Sequence, residues 1–329
     1  MKYCIYGAGA IGGHVAARLA KAGEEVSAIA RGPHLEAIRQ DGLTLLVADQ
    51  DRFTVDVNAT DKPAELGPQD VIFVAVKGPA LPAVAEGIRP LMKDDTAVVF
   101  AMNGVPWWFF HGLPGKYEGR RIETVDPGGR MWDAVGPGRA IGCVVNSANH
   151  VVAPGVVRND APKPNRFWLG EPDGSRSERV LAISAAMEKG GFAAPVSEDI
   201  RKDIWGKGLR ALANASIGSL TTTASCHFLS NPDIRPIARA MMQEGYDVGV
   251  AVGCDCGIDI DADIDQVAGS PPHRHSMLQD LEAGRPMEID GIIGVVQEMS
   301  RMTGTPTPTI DMVLALVKQR ARSAGLYDG

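Results

Sequence analysis

The chain has 329 residues, 45% of them apolar and 22% charged, which is the composition of a globular protein rather than a disordered one. A formal net charge of −7 and a pI near 5.5 argue against a broad nucleic-acid or anionic-membrane surface. Length alone suggests two domains of about 100 to 200 residues, and no run of about 18 apolar residues is available to span a bilayer. The five cysteines are odd in number, and the close pair in CDC lacks zinc-ligand spacing. They are expected to be free thiols in a reducing cytosol, which makes the protein cytoplasmic.

The first stretch, MKYCIYGAGAIGGHVAARLA, superficially resembles a signal peptide, but its glycine pattern marks it as folded structure. In chain order, KYCIYG, EEVSAIA, LTLLV, VIFVAVK and AVVFAMN predict strands, being rich in Val, Ile, Phe and Ala. HVAARLAKAG and PALPAVAEGIRPLM, between them, predict helices. That alternation implies a parallel sheet covered on both faces. Residues 135 to 171 return to β character in AIGCVVNSA, VVAPGVVRN and RFWLGEP. From about residue 175 the pattern is helix after helix, from SERVLAISAAMEKGG and DIWGKGLRALANASI through PMEIDGIIGVVQEMSRMTG to TIDMVLALVKQRARSAG. The expected fold is therefore α/β: a Rossmann-type dinucleotide-binding domain over 1–171, then an all-helical domain over 176–329. GEPDGSRSE reads as the linker.

Gly7, Ala8, Gly9, Ala10, Ile11 and Gly12 form GAGAIG, after the first strand and before a helix, which is the context the dinucleotide pattern requires. Gly7 permits a tight turn, Gly9 lets backbone approach a pyrophosphate, and Gly12 lets helix and strand pack closely. An NAD site usually ends its second strand with an acidic residue, but here Ala30 and Arg31 stand there. Arg31 suits a 2′-phosphate through charge-assisted hydrogen bonds, so the expected cofactor is NADP(H).

GAGAIGG, Arg31, VAVK ending at Lys77, MNGV around Asn103, IWGK at Lys207 and SMLQDLEAGRPMEID together resemble the ketopantoate reductases, over nearly the whole chain and in the same order. The resemblance implies NADPH-dependent reduction of 2-dehydropantoate to pantoate, a step of pantothenate biosynthesis, and homodimers formed through the helical domain. It implies Lys207 as proton donor, a role that burial or a nearby cation makes feasible by lowering the lysine pKa. It assigns Asn103 to both cofactor and substrate, Ser276 to the substrate carboxylate, Lys77 to cofactor phosphate or substrate, Glu288 to the cofactor, and the Ala148 backbone to the cofactor. Each has a plainer reading: Asn103 as a turn cap, Lys77 as a solvated strand end, Glu288 as a helix-dipole partner, Ser276 as an N-cap.

The family carries asparagines one and two helical turns beyond its lysine, where this chain has Ala211 and Ala215. Asn214, at i+7, returns to the lysine face and is the remaining candidate for the substrate. That departure leaves the reaction type better supported than the substrate. Two alternatives follow: a paralogue acting on another 2-oxo or hydroxy acid, and a nonenzymatic NADP(H) sensor, against which Lys207 and Glu288 argue. No metal is expected. His273 and His275 read as loop residues, DIDADIDQ as a solvated turn, and PWWFFH as an interface anchor or a wall of the substrate pocket.

Overall fold

The computed structural model describes residues 1–48, 52–160 and 165–327. Contacts divide the chain into two compact units, one of Met1–Met102, Pro106–Gly112 and Gly128–Ile200, the other of Asn103–Val105, Leu113–Pro127 and Arg201–Gly329.

The first unit contains, in chain order, β1 (Lys2–Tyr6), α1 (Ala10–Lys21), β2 (Glu25–Ile29), α2 (Gly32–Asp41), β3 (Leu43–Val47), β4 (Arg52–Val55), β5 (Asn58–Thr60), β6 (Val71–Val74), α3 (Leu81–Gly87), β7 (Ala97–Phe100), α4 (Arg130–Val135), β8 (Ala140–Asn146), β9 (Asn149–Ala153), β10 (Val156–Asn159), β11 (Arg166–Gly170) and α5 (Glu178–Lys189). Seven strands form one sheet in the order β11-β8-β7-β6-β1-β2-β5, parallel except for β11 at the edge. Its central strands are apolar on both faces, with Ile5, Ile72, Phe73, Val98 and Val99 fully buried, as a sheet covered on both sides demands. The chain winds from β1 outward to β2 and β5, then returns to lay β6 on the other side of β1. That reversal puts a crevice at the carboxyl end of β1, where doubly wound folds bind ligands.

LTLLV does not join this sheet. As β3 it belongs to a second, four-stranded sheet in the order β4-β3-β10-β9. A Cβ at Gly13 would lie 2.7 Å from Val157 Cγ2, so the bare backbone lets α1 press against β10. PALPAVAEGIRPLM keeps only the short α3 between two 3-10 turns, Gly78–Ala80 and Arg89–Leu91, each opening at a proline. The unit boundary falls at Ile200 and Arg201, later than the 171 to 176 that composition suggests. The reason is a run of hydrogen bonds to β11: Phe167 N–H donates to the Ala193 carbonyl (2.8 Å), Leu169 N–H to that of Pro195 (3.0 Å), and Ser197 N–H to that of Leu169 (2.7 Å). α5 lays Val180, Ile183 and Met187 into the same core as Phe167 and Leu169. The PWWFFH cluster is core as well: Trp107, Trp108, Phe109 and Phe110 are at most 1% exposed, and Trp107 meets Phe100 edge to face at 5.5 Å.

The α-helices described in the second unit are α6 (Ile200–Thr221), α7 (Ser225–Leu229), α8 (Arg235–Ala251), α9 (Ile260–Ala268), α10 (Ser276–Glu282), α11 (Val295–Thr303) and α12 (Pro308–Ser323), while its segments 103–105 and 113–126 are turns and irregular chain. α9 corrects the reading of DIDADIDQ as a turn. Asp259 caps it by accepting from Ala262 N–H at 3.0 Å, and acidic residues in a first turn suit the helix dipole. The run PMEIDGIIGVVQEMSRMTG is not one helix from its proline either. It turns helical at Ile289, passes through a π-helical segment, Asp290–Gly294, and then becomes α11. Among the described residues no helix is long and apolar enough to cross a membrane, and all five cysteines are thiols, four of them buried.

Candidate active site

In the first unit the chain leaves β1 at Tyr6 and turns at Gly7, whose φ of 100° favours glycine. The N–H groups of Gly7 and Ala8 both donate to the Ile29 carbonyl at the end of β2, at 3.1 and 3.0 Å, which pins the loop across two strand ends. A Cβ at Gly12 would lie 2.0 Å from the Gly7 carbonyl oxygen, so helix and loop could not close with any side chain there. A Cβ at Gly9 would meet no heavy atom within 4 Å. Gly9 thus exposes backbone at the N-terminus of α1, where Ala10 and Ile11 form a first turn that no side chain caps. Free N–H groups and the positive dipole end make this turn a fit for a pyrophosphate.

The loop opens onto a cleft of about 580 Å3 lined by Tyr6, Gly7, Ala8, Gly9, Arg31, His34 and residues 151–154, among others. Arg31 is exposed and immediately precedes α2. Lys77 is exposed just past β6, and Ala148 is exposed in the loop that carries the chain from β8 to β9 in the other sheet. The Ala148 carbonyl accepts from Asp160 N–H and Asn159 Nδ2, both at 3.0 Å. His34 was not legible as a site residue. Gly155 N–H donates to its Nδ1 at 3.0 Å, so the neutral ring carries its proton on Nε2, which donates to the Ala8 carbonyl at 2.8 Å. The ring ties the glycine loop to the turn after β9. Both of its partners are backbone atoms, so no residue pattern announces it.

In the second unit, three of the expected residues come together. Val105 N–H donates to the Gly291 carbonyl at 3.0 Å, and Gly104, with φ of 83°, approaches so closely that a Cβ would lie 2.2 Å from that same oxygen. Gly291 lies in the π-helical segment, a feature frequent at functional sites. The contact holds Asn103 beside Glu288, which directly precedes the helix start and is 7% exposed. Asn103 Oδ1 accepts from Lys207 Nζ at 2.9 Å, and its Nδ2 donates to Glu288 Oε2 at 3.4 Å. The amide therefore has one orientation, with its oxygen toward the ammonium and its nitrogen toward the carboxylate.

Lys207 is half-buried on α6. Trp205 seats that helix: its buried Nε1 donates to the Gly245 carbonyl on α8 at 3.2 Å. The glycines beside Lys207 keep space clear. A Cβ at Gly208 would meet nothing within 4 Å, and one at Gly206 would come no nearer than 3.9 Å, to Cys256 Cβ. Asn214 is buried two turns beyond Lys207, while Ser276 is exposed at the first residue of α10. His275, not Ser276, holds the N-cap position, and no side chain bonds that cap. His275 lies in the loop expected of PPHRHS. Burial pushes its pKa down to about 4, helped by the charges of His273 and Lys207, so a neutral imidazole faces the field of the lysine. No group of three or more His, Cys, Asp or Glu among the described residues is placed to hold a metal ion.

The profile of "Ketopantoate reductase PanE/ApbA" matches residues 3–106, and that of its C-terminal region matches residues 199–321. A 2-dehydropantoate 2-reductase from Mesorhizobium japonicum is 46% identical over 99% of this chain and 100% of its own. The crystal structure of a protein assigned as a ketopantoate reductase from Ralstonia solanacearum is 40% identical, with a TM-score of 0.94 over 99% of both chains. D-mandelate dehydrogenase, crystallised with NADH and anilino(oxo)acetate, has the same fold at 19% identity, with a TM-score of 0.83 over 99% of this chain and 100% of its own. The two matching profiles and the full-length likeness agree with the glycine loop and the Lys207–Asn103–Glu288 arrangement: this chain belongs to the ketopantoate reductase family of dinucleotide-dependent oxidoreductases.

Proposed function

We propose that this protein reduces a 2-oxo acid to a 2-hydroxy acid with NADPH, 2-dehydropantoate to pantoate being the first candidate. The observation that carries this reading is the bond from Lys207 Nζ to an amide that Glu288 orients. When bound, NADPH supplies the hydride. As a carbonyl carbon accepts it, the carbonyl oxygen gains negative charge and needs a proton. Lys207 has three N–H donors, of which Asn103 takes one. Another donates to the carbonyl oxygen and passes its proton across as the alcohol forms, and water restores the ammonium. Asn103 and Glu288 fix the direction of that donation and serve the cofactor and substrate at the same centre. Asn214 and Ser276 complete the substrate contacts, and the Gly7–Gly12 loop, Arg31, Lys77 and the Ala148 backbone serve the dinucleotide.

The test is oxidation of NADPH by the purified protein against a panel of 2-oxo acids that includes 2-dehydropantoate. Turnover of 2-dehydropantoate at a rate typical of enzymes is the expected result. Turnover of other acids alone would move the assignment to a paralogous substrate, a reading that the apolar Ala211 and Ala215 favour.

Arg31 supports NADPH over NADH because it lines the dinucleotide cleft at the end of β2, where no acidic side chain follows the strand. Hydrogen bonds to a charged group contribute about 1.5 to 3 kcal/mol. Arg31→Ala should therefore weaken NADPH binding by roughly 10- to 100-fold and leave NADH nearly unchanged, as read by fluorescence titration. An equal effect on both nucleotides would remove the argument for the phosphate.

A further inference from the structure

The end of the chain doubles back onto the segment that builds the reaction site. α12 closes with a left-handed Gly325, φ 68°, whose N–H donates to the Arg322 carbonyl, while Leu326 N–H donates to that of Ala321, both at 2.9 Å. That pair of bonds is a Schellman cap, which turns the chain back along its own helix. Tyr327 therefore lies against residues that precede it on α12: its ring centroid is 5.4 Å from Lys318 Nζ and 5.5 Å from the Arg322 guanidinium carbon. Its hydroxyl donates to Asp290 Oδ1 at 2.8 Å, and Lys318 Nζ stands 3.7 Å from the same oxygen. Burial, then the bond to Asp290 and its charge, push the phenol pKa up, so the hydroxyl remains a donor through the neutral range. Asp290 opens the π-helical segment. Val295 N–H reaches back five residues to the Asp290 carbonyl, a wider turn than α-helical winding, and the next carbonyl, that of Gly291, accepts from Val105 N–H at 3.0 Å.

We propose that Asp290 and Tyr327 are positioning residues of the reaction site: the C-terminal turn ties down the π-helical segment, and that segment sets Asn103 and Glu288 toward Lys207. This rests on the reading of Lys207, Asn103 and Glu288 as the reaction centre. π-Helical winding is rare and short, so contacts from outside the helix must hold it. Two such contacts are the bond from Val105 N–H to Gly291 and the bond from Tyr327 to Asp290. Glu288 lies two residues before Asp290, and Asn103 two residues before Val105. Without the phenol hydroxyl the segment can relax toward α-helical winding, which draws the Gly291 carbonyl from Val105 and turns the Asn103 amide away from its two partners. Misplacement on the scale of an ångström is enough to slow a reaction that depends on alignment. Both residues act through the backbone and not through contact with the substrate.

Tyr327→Phe keeps the ring and loses only the hydroxyl. It should lower kcat by roughly 3- to 10-fold, the factor of one hydrogen bond, and speed hydrogen exchange of the Val105 N–H, read by NMR, by a similar factor. Asp290→Ala should do the same, whereas Asp290→Asn keeps an acceptor and should stay within about twofold of wild type. The double variant Tyr327→Phe/Asp290→Ala should lose no more than either single variant. Glu244→Ala is the control for stability alone. The Glu244 carboxylate accepts from Thr309 and Ile310 N–H, both at 2.9 Å, at the opposite end of α12, so its loss should lower the urea midpoint without moving kcat or Val105 exchange. A wild-type kcat in Tyr327→Phe, a loss that Glu244→Ala matches, or a loss without faster exchange at Val105 overturns the assignment. If wild type reduces no acid on the panel, the substrate reading fails by itself. Exchange then decides this one: a faster rate at Val105 in Tyr327→Phe supports it, and an unchanged rate overturns it.

Discussion

Lys207→Met should lower kcat by about 100- to 10,000-fold, the usual contribution of a positioned general acid. Methionine has nearly the length and apolar stem of lysine, so α6 keeps its packing through Trp205 and loses only the donor. NADPH affinity should stay close to wild type, because the glycine loop and Arg31 are untouched by the exchange. The sharper comparison is Lys207→Arg. Arginine keeps the positive charge and can still bond Asn103, but its pKa above about 12 prevents it from giving up a proton. If Lys207 transfers a proton, the arginine variant should be nearly as inactive as the methionine variant. If the site needs only a positive charge near the oxygen, the arginine variant would keep much of its rate, and single-turnover kinetics with bound NADPH would show it. An arginine variant within tenfold of wild type would remove the proton-donor role.

Gly104→Ala should be the most damaging small substitution near the site. Two costs add there: a left-handed φ of 83°, and a Cβ placed 2.2 Å from the backbone oxygen of Gly291. The oxygen cannot swing aside as a side chain would, so either the 103–105 segment or the π-helical segment must move. Strain of about 1 to 3 kcal/mol for the conformation and a similar amount for overpacking give an expected loss of about 2 to 6 kcal/mol in urea unfolding. Whatever folds should show reduced kcat, because Asn103 is adjacent and its two bonds depend on that approach. Gly284→Ala is the control: Gly284 has φ of 63°, but a Cβ there meets nothing within 4 Å, so only the conformational cost applies. Equal destabilisation at both positions would show that the contact with Gly291 contributes nothing.

Local signals in the sequence carried the elements that depend on local physics. The apolar strands β1, β6 and β7, the glycines of the first turn and the long periodic helices α6, α8 and α12 were legible because each is set by residues close in sequence. Sheet membership was not. LTLLV has a strand-like composition in either sheet, and only its long-range pairing with β10 decides. The DIDADIDQ run looked like a solvated turn because acidic side chains hide an apolar stripe, yet Ile260 and Ile264 are buried one turn apart. At the site, Lys207, Asn103 and Glu288 stood out through a family pattern. His34 did not, since its partners are two backbone atoms.

The chain does not keep its chemistry in separable parcels. Asn103, bonded to Lys207 across 104 positions of sequence, belongs to the helical unit although it directly follows the last strand-like run of the sheet's first half. A fragment starting at Arg201 would carry Lys207 and Glu288 but leave behind the amide between them. Recombination that joins a helical module to an unrelated nucleotide-binding module at residue 200 would make the same omission. Residues 103–105 and 113–127 would have to travel with the helices, so this architecture resists shuffling by simple end-to-end fusion, and its two halves are expected to diverge together.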